Sequence, residues 1–159
     1  MNATADELAG VVDLFGALTR PELERALSEA AYRADGRSLD ESALETAIDD
    51  AIESFALVRH EQRGNEAETT LLVAGPTAFP SVPAHAEDVP HILDVDRRRL
   101  DRDALGETAR EQFLETVETA TENPDDADLE ELIDISYDVE AWAPVDLANE
   151  RDQLEASLE

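Results

Sequence analysis

The sequence predicts a mainly α protein with one small β-hairpin, and three observations carry that prediction. Three hydroxyl residues each stand three positions before a glutamate: Thr4 before Glu7, Thr19 before Glu22, and Ser38 before Glu41. In such a pair the hydroxyl accepts from one free N–H of the first helical turn, and the carboxylate accepts from another. After each start, apolar residues recur at helical spacing. Two β-rich runs, ALVRHE at 56–61 and TTLLVAG at 69–75, then flank the polar stretch Gln62–Glu68, which holds Gly64 and Asn65. That pattern reads as a hairpin with a long loop.

The elements follow in order. The first helix presents Leu8, Val11, Val12, Phe15 and Leu18. The second presents Leu23, Ala26, Leu27 and Ala30, with Pro21 in its first turn, where a missing N–H costs nothing. It ends near Asp35-Gly36. The third carries Leu44, Ala47, Ile48, Ala51, Ile52 and Phe55 on one stripe. After the hairpin, Pro76, Pro80, Pro83 and Pro90 mark an extended connector, with HILDVD at 91–96 as a short strand. A helix is expected over 103–121, with Leu105, Ala109, Phe113, Val117 and Ala120 on one face. Another is expected over 128–137, burying Leu129, Leu132 and Ile133. YDVEAWAPVD then reads as a turn, with Trp142 and Pro144 as packing anchors. A last helix starts near Leu147, capped by Asp146, with Leu154 and Leu158 apolar. The organisation is therefore a helix–hairpin domain at 4–76, a Pro-rich connector at 77–100 and a helical C-terminal region at 101–159.

Charge narrows the setting. Forty acidic residues face twelve basic ones, all Arg, for a net charge of −28. Residues 1–80 carry −10 and residues 81–159 carry −18. Such charge opposes compaction by self-repulsion unless salt screens it. At molar salt the Debye length falls to about 3 Å. The abundance of Asp and Glu, with Lys absent and bulky aromatics few, resembles proteins of salt-in halophilic archaea. A hydrophobic share of 42 % with helical periodicity argues against a disordered acidic chain. Cysteine is absent, which removes disulfides, thiolate metal sites and cysteine nucleophiles. MNATADELAG lacks the positive start of a secretory peptide, and no apolar run reaches the roughly 20 residues of a membrane span. A cytoplasmic protein is expected.

Three helices followed by a hairpin, within residues 4–76, resemble the winged-helix superfamily. The stretches ADELAGVVDLFGALTRPELERAL, HILDVDRR and YDVEAWAPVDL also resemble an uncharacterised haloarchaeal family of about this length. The resemblance covers most of the chain and implies a haloarchaeal source but no activity. Winged-helix topology serves DNA, RNA and protein contacts alike, so topology alone does not select a function.

The residues weigh those options. In winged helices that read DNA, the third helix enters the major groove. Here it offers Asp40, Glu41, Glu45, Asp49, Asp50 and Glu53, with no cation from Ser38 to Val58. DNA affinity rests largely on Lys and Arg at the phosphates, so this face disfavours a groove reader. Arg59 and Arg63 lie where a wing would touch DNA, and Arg20, Arg25, Arg33 and Arg37 surround the second helix. Pairing with nearby carboxylates is the competing role for them. The densest positive cluster is DVDRRRLDRD at 94–103, where Arg97, Arg98, Arg99 and Arg102 are interleaved with four Asp. It reads as a local ion-pair network, or as a docking point for an acidic partner or RNA. His85, Glu87, Asp88, His91, Asp94 and Asp96 are ligand types in one short stretch, but no established metal spacing joins them. Neither G-x-S-x-G, a P-loop nor G-x-G-x-x-G is present. The expectation is a non-enzymatic interaction or adaptor protein without cofactor, contacting a protein partner. The alternative is a winged-helix DNA-binding transcriptional regulator.

Overall fold

A computed structural model describes residues 4–35, 40–63, 68–80, 93 and 98–158. Within them lie six helices and one two-stranded antiparallel sheet, so the protein is mainly α with a small hairpin. The chain divides into two compact units, Met1–Leu100 and Asp101–Glu159.

The first unit is built on α1 (Ala5–Phe15), α2 (Arg20–Asp35) and α3 (Glu41–Glu53). Thr4 and Glu7 form the expected capping box on α1. Thr19 and Glu22 form one on α2: the Thr19 N–H donates to Glu22 Oε1 at 2.9 Å, and the Glu22 N–H donates to Thr19 Oγ1 at 3.3 Å. α1 buries Leu8, Ala9, Val11, Val12 and Phe15, which makes it the central helix of the unit. Leu23, Ala26, Leu27 and Ala30 of α2 and Leu44, Ile48 and Ala51 of α3 join the same core.

α3 departs from expectation at both ends. Its cap is Asp40, whose Oδ1 accepts from the Ser42 N–H at 3.2 Å, and Ser38 lies outside the described residues. Both candidates precede the same stripe, and the carboxylate suits the positive end of the helix dipole. At the other end the helix stops at Glu53, although the apolar stripe continues to Phe55. The Phe55 N–H donates to the Ile52 carbonyl at 3.2 Å, and the Ala56 N–H donates to the Ala51 carbonyl at 2.9 Å. These are the two bonds of a Schellman turn, which requires a left-handed residue at Phe55. Phe55 has φ 64°, a conformation usually left to glycine. That costs about 1–2 kcal/mol. Full burial of the ring, worth about 1.5–3 kcal/mol, offsets it.

The chain then enters β1 (Leu57–Arg63), paired with β2 (Glu68–Ala74) from Leu57↔Ala74 to Arg63↔Glu68. Leu18 adds a one-residue bridge on the outer edge of β2, with N–H···O bonds of 3.0 and 2.7 Å to and from Leu72. Gly75 closes the hairpin base. A Cβ there would lie 2.3 Å from the Phe55 carbonyl oxygen.

The end of the connector is pinned to the α1–α2 turn. The Arg98 N–H donates to the Phe15 carbonyl at 2.7 Å, and its guanidinium meets Glu22 at 2.7 and 3.2 Å and the Ala17 carbonyl at 3.1 Å. Gly16 makes this possible: its φ is 82°, and a Cβ would fall 2.0 Å from the Arg98 carbonyl oxygen. The strand expected at 91–96 lies outside the described residues except at Leu93, which is helical and half-buried against the core.

The second unit contains α4 (Arg102–Glu122), α5 (Asp126–Trp142) and α6 (Ala148–Ser157). Asp101 and Asp125 cap the first two. α5 is longer than expected and runs through YDVEAW, so the predicted turn begins only at Ala143. No glycine or proline interrupts that stretch, and Ile135 and Val139 continue the buried stripe past Leu132. Ile133 is half-buried, not buried, and Pro144 is exposed. The N-cap of α6 is Leu147, not the expected Asp146, which stands one position earlier with its Oδ1 accepting from the Ala148 N–H at 3.0 Å. Leu105, Phe113, Leu129, Leu147 and Leu154 anchor the core of this unit.

Candidate interaction surface

The outer face of α3 follows from its stripe. With Leu44, Ile48, Ala51 and Ile52 turned inward, Glu41, Glu45, Asp49, Asp50 and Glu53 are left exposed. Arg20, at the start of α2, reaches this face: its guanidinium donates to the Glu45 carbonyl at 3.1 Å and contacts Asp49 at 2.9 Å and Glu24 at 3.7 Å. Arg20, a cation beside the face, is therefore already bound to it.

The hairpin presents two different faces. Arg59, Glu61, Thr70 and Leu72 share one of them by register. Between this face, Ile52 and the start of α2 opens a cleft of about 440 Å³. Arg20, Arg59, Thr69 and Thr70 supply its polar wall, and Pro21, Ile52 and Leu72 its apolar floor. A second cleft, of about 520 Å³, lies between α2 and α3 and holds Glu24, Glu29 and Glu41 around Arg25.

The arginines separate into distinct roles. Arg59 is exposed on β1 and makes no ion pair or hydrogen bond among the described residues. The side chain of Arg63, and all of Arg97, lie outside the description. Arg98 finds a carboxylate far along the chain, while Asp94 and Asp96 beside it lie outside the described residues. It pairs with Glu22, 76 positions earlier, because the connector docks on the α1–α2 turn. Arg98 and the backbone bond from Thr19 hold the Glu22 carboxyl below the usual carboxylate range. Arg99 is exposed. Arg102 stacks over Trp142 at 4.9 Å within the second unit.

In the second unit Arg151 plays the part of Arg98. It contacts Glu140 at 2.6 and 3.3 Å and Ser136 Oγ at 3.1 Å, and lies 4.3 Å over the Tyr137 ring. Arg151, with the Leu147 N–H, lowers the Glu140 pKa, and Glu140 raises that of Arg151. Glu150 is buried, with Arg110 at 3.6 Å.

Two features escaped the sequence. Phe79 is 82 % exposed, with its N–H donating to Asp6 at 3.1 Å. Its one signal was an aromatic outside any periodic stripe. The cleft at the hairpin gathers residues from 19 to 72, and no local pattern announces it. The ligand-type residues from His85 to Asp96 lie outside the described residues; among those described, no three His, Asp or Glu side chains could hold a metal ion. No helix among them is long and apolar enough to cross a membrane.

A family model described as "Family of unknown function (DUF7109)" matches residues 6–159. No curated protein and no solved structure matches the chain.

Proposed function

The chain belongs to this family of unknown function, and from that premise we propose that it is a non-enzymatic interaction or adaptor protein of a halophilic archaeon, working in a salt-rich cytoplasm. One observation carries the reading: the exposed face of α3 consists of carboxylates, and its neighbouring cation, Arg20, is spent on Asp49 and Glu45. Phosphates would meet repulsion there. A hydrated or protein-facing role fits that surface, and the exposed rings of Tyr32 and Phe79 offer apolar contact on the same unit. The first unit is winged-helix-like in this reading, supported by the order α1–α2–α3–hairpin and by the Leu18 bridge to β2.

Affinity capture with the full chain in molar KCl tests the proposal. A stoichiometric protein partner is the expected result. Recovery of none in repeated captures, with nucleic acid retained instead, would sink it.

One observation favours the second reading, a DNA-binding regulator: Arg59 stands unpaired on the hairpin among the described residues. Electrophoretic shift of genomic fragments at native salt, compared with Arg59→Glu, decides that case. Sequence-selective retention lost in the variant would support it.

A further inference from the structure

Forty of 159 residues are acidic, so an arginine on this surface is seldom far from a carboxylate. Arg20 and Arg98 are paired. Arg25, Arg59 and Arg99 are not, among the described residues. Arg25 still sits in a cleft lined by three glutamates. Arg59 differs: none of the eight described residues lining its cleft is acidic, and two are arginines. At one residue in four, about two acids would be expected there by composition alone.

The same cleft borders an open sheet edge. Leu72 exchanges both its backbone bonds with Leu18, so its N–H and C=O point away from β1. Alternate residues of a strand point their amides the same way. Thr70 therefore also presents its N–H and C=O outward. The residue that would pair with it is Arg20, which has already entered α2. The ladder stops after one bridge, and among the described residues the edge at Thr70 is left unpaired beside Arg59.

We infer that this cleft is the docking site for an extended segment of a partner protein that pairs with the β2 edge at Thr70 and places a carboxylate on Arg59. This rests on the adaptor reading and names the partner's chemistry. Main-chain bonds to a sheet edge supply affinity, and pockets for alternate side chains supply specificity. The apolar floor of Ile52, Leu72 and Pro21 takes the inward side chain, and a volume of about 440 Å³ lies within the range of ligand pockets. A nucleic acid fits less well. Its phosphates repeat at every nucleotide and need several cations, whereas the described lining offers one unpaired arginine, with Glu61 on the same strand face and Arg20 bound to Asp49. One carboxylate in a peptide needs only one.

The test is a selection from a random twelve-residue display library on the full chain in molar KCl. The selected peptides are then measured by fluorescence anisotropy against wild type, Arg59→Glu and Thr70→Pro. Arg59 and Thr70 are exposed, and helical CD verifies that both variants fold. The expected result is enrichment of β-branched peptides with a central Asp or Glu. Each variant should weaken binding by about tenfold or more, and amide shifts should map to Thr69–Leu72. Selected peptides that bind Arg59→Glu as tightly as wild type overturn the proposal. So does failure of any peptide to enrich, retention of a random single-stranded DNA pool in place of peptides, or a self-dimer whose interface maps to Thr69–Leu72. Capture of the same cellular partner by wild type and Arg59→Glu would remove the cleft while leaving the adaptor reading intact. Arg59-dependent peptides without a cellular partner would do the reverse.

Discussion

The clasp between Arg98 and Glu22 is open to a quantitative test. Two charge-assisted bonds at 2.7 and 3.2 Å join the side chains, which are 32 % and 21 % exposed. Bidentate geometry and partial burial lift the pair above an ordinary surface ion pair, which contributes about 0–1 kcal/mol. A coupling of about 2 kcal/mol is expected, since bonds to charged groups contribute about 1.5–3 kcal/mol each and partial exposure discounts them. Glu22→Gln removes the charge yet keeps an oxygen to accept from the Thr19 N–H, so the α2 cap survives. Arg98→Ala also removes the bond to the Ala17 carbonyl. The double-mutant cycle cancels that extra loss and leaves the pair. Urea melts in molar KCl supply the four free energies. For a unit of this size about 2 kcal/mol corresponds to ~10 °C in melting temperature. A coupling below about 0.5 kcal/mol would refute the reasoning and rank the clasp with ordinary surface pairs.

Three further outcomes follow from described contacts. Because Glu22 and Glu140 have lowered pKa values in the fold, their stabilisation is complete above the unfolded carboxylate pKa. It drains away as pH falls through the folded values; the acid limb of a stability–pH curve should therefore be shallower in Glu22→Gln and Glu140→Gln, and unchanged limbs would count against both pairings. Gly75→Ala drives a methyl into the Phe55 carbonyl and should cost about 1–3 kcal/mol in chemical denaturation, whereas a cost near zero would mean that the hairpin base yields easily. Dialysis from molar KCl to dilute buffer should reduce the helical CD signal, because a charge of −28 is then unscreened, and full retention would show that packing alone outweighs the repulsion.

What the sequence disclosed was local. Capping boxes at Thr4 and Thr19 and stripes such as Leu44–Ile52 are set by residues within a few turns, and α1 and α2 start where these patterns place them. The hairpin was legible for the same reason. Tertiary choices were not. Phe55 fits a helical stripe, and only the Schellman bonds of the folded chain show it ending the helix. Asp40 and Ser38 compete for one cap, and spacing favoured the hydroxyl. Arg98 has aspartates beside it in sequence and a glutamate beside it in space. The role proposed for Arg59 depends on which residues line its cleft, and no linear pattern records that.

The abrupt passage from α3 to β1 through Phe55 leaves no slack between helix and strand. Leu57 begins the ladder four residues after the last helical position, Glu53. A strand alternates its faces at every step, so facing is inherited directly from the helix end. One residue inserted between Glu53 and Leu57 would turn the His60 face of β1 toward the cleft and Arg59 away from it. A two-residue insertion would restore the parity but move Arg59 along the edge by about 7 Å. The length of this junction is thus an address, and relatives that keep the cleft should keep it unchanged.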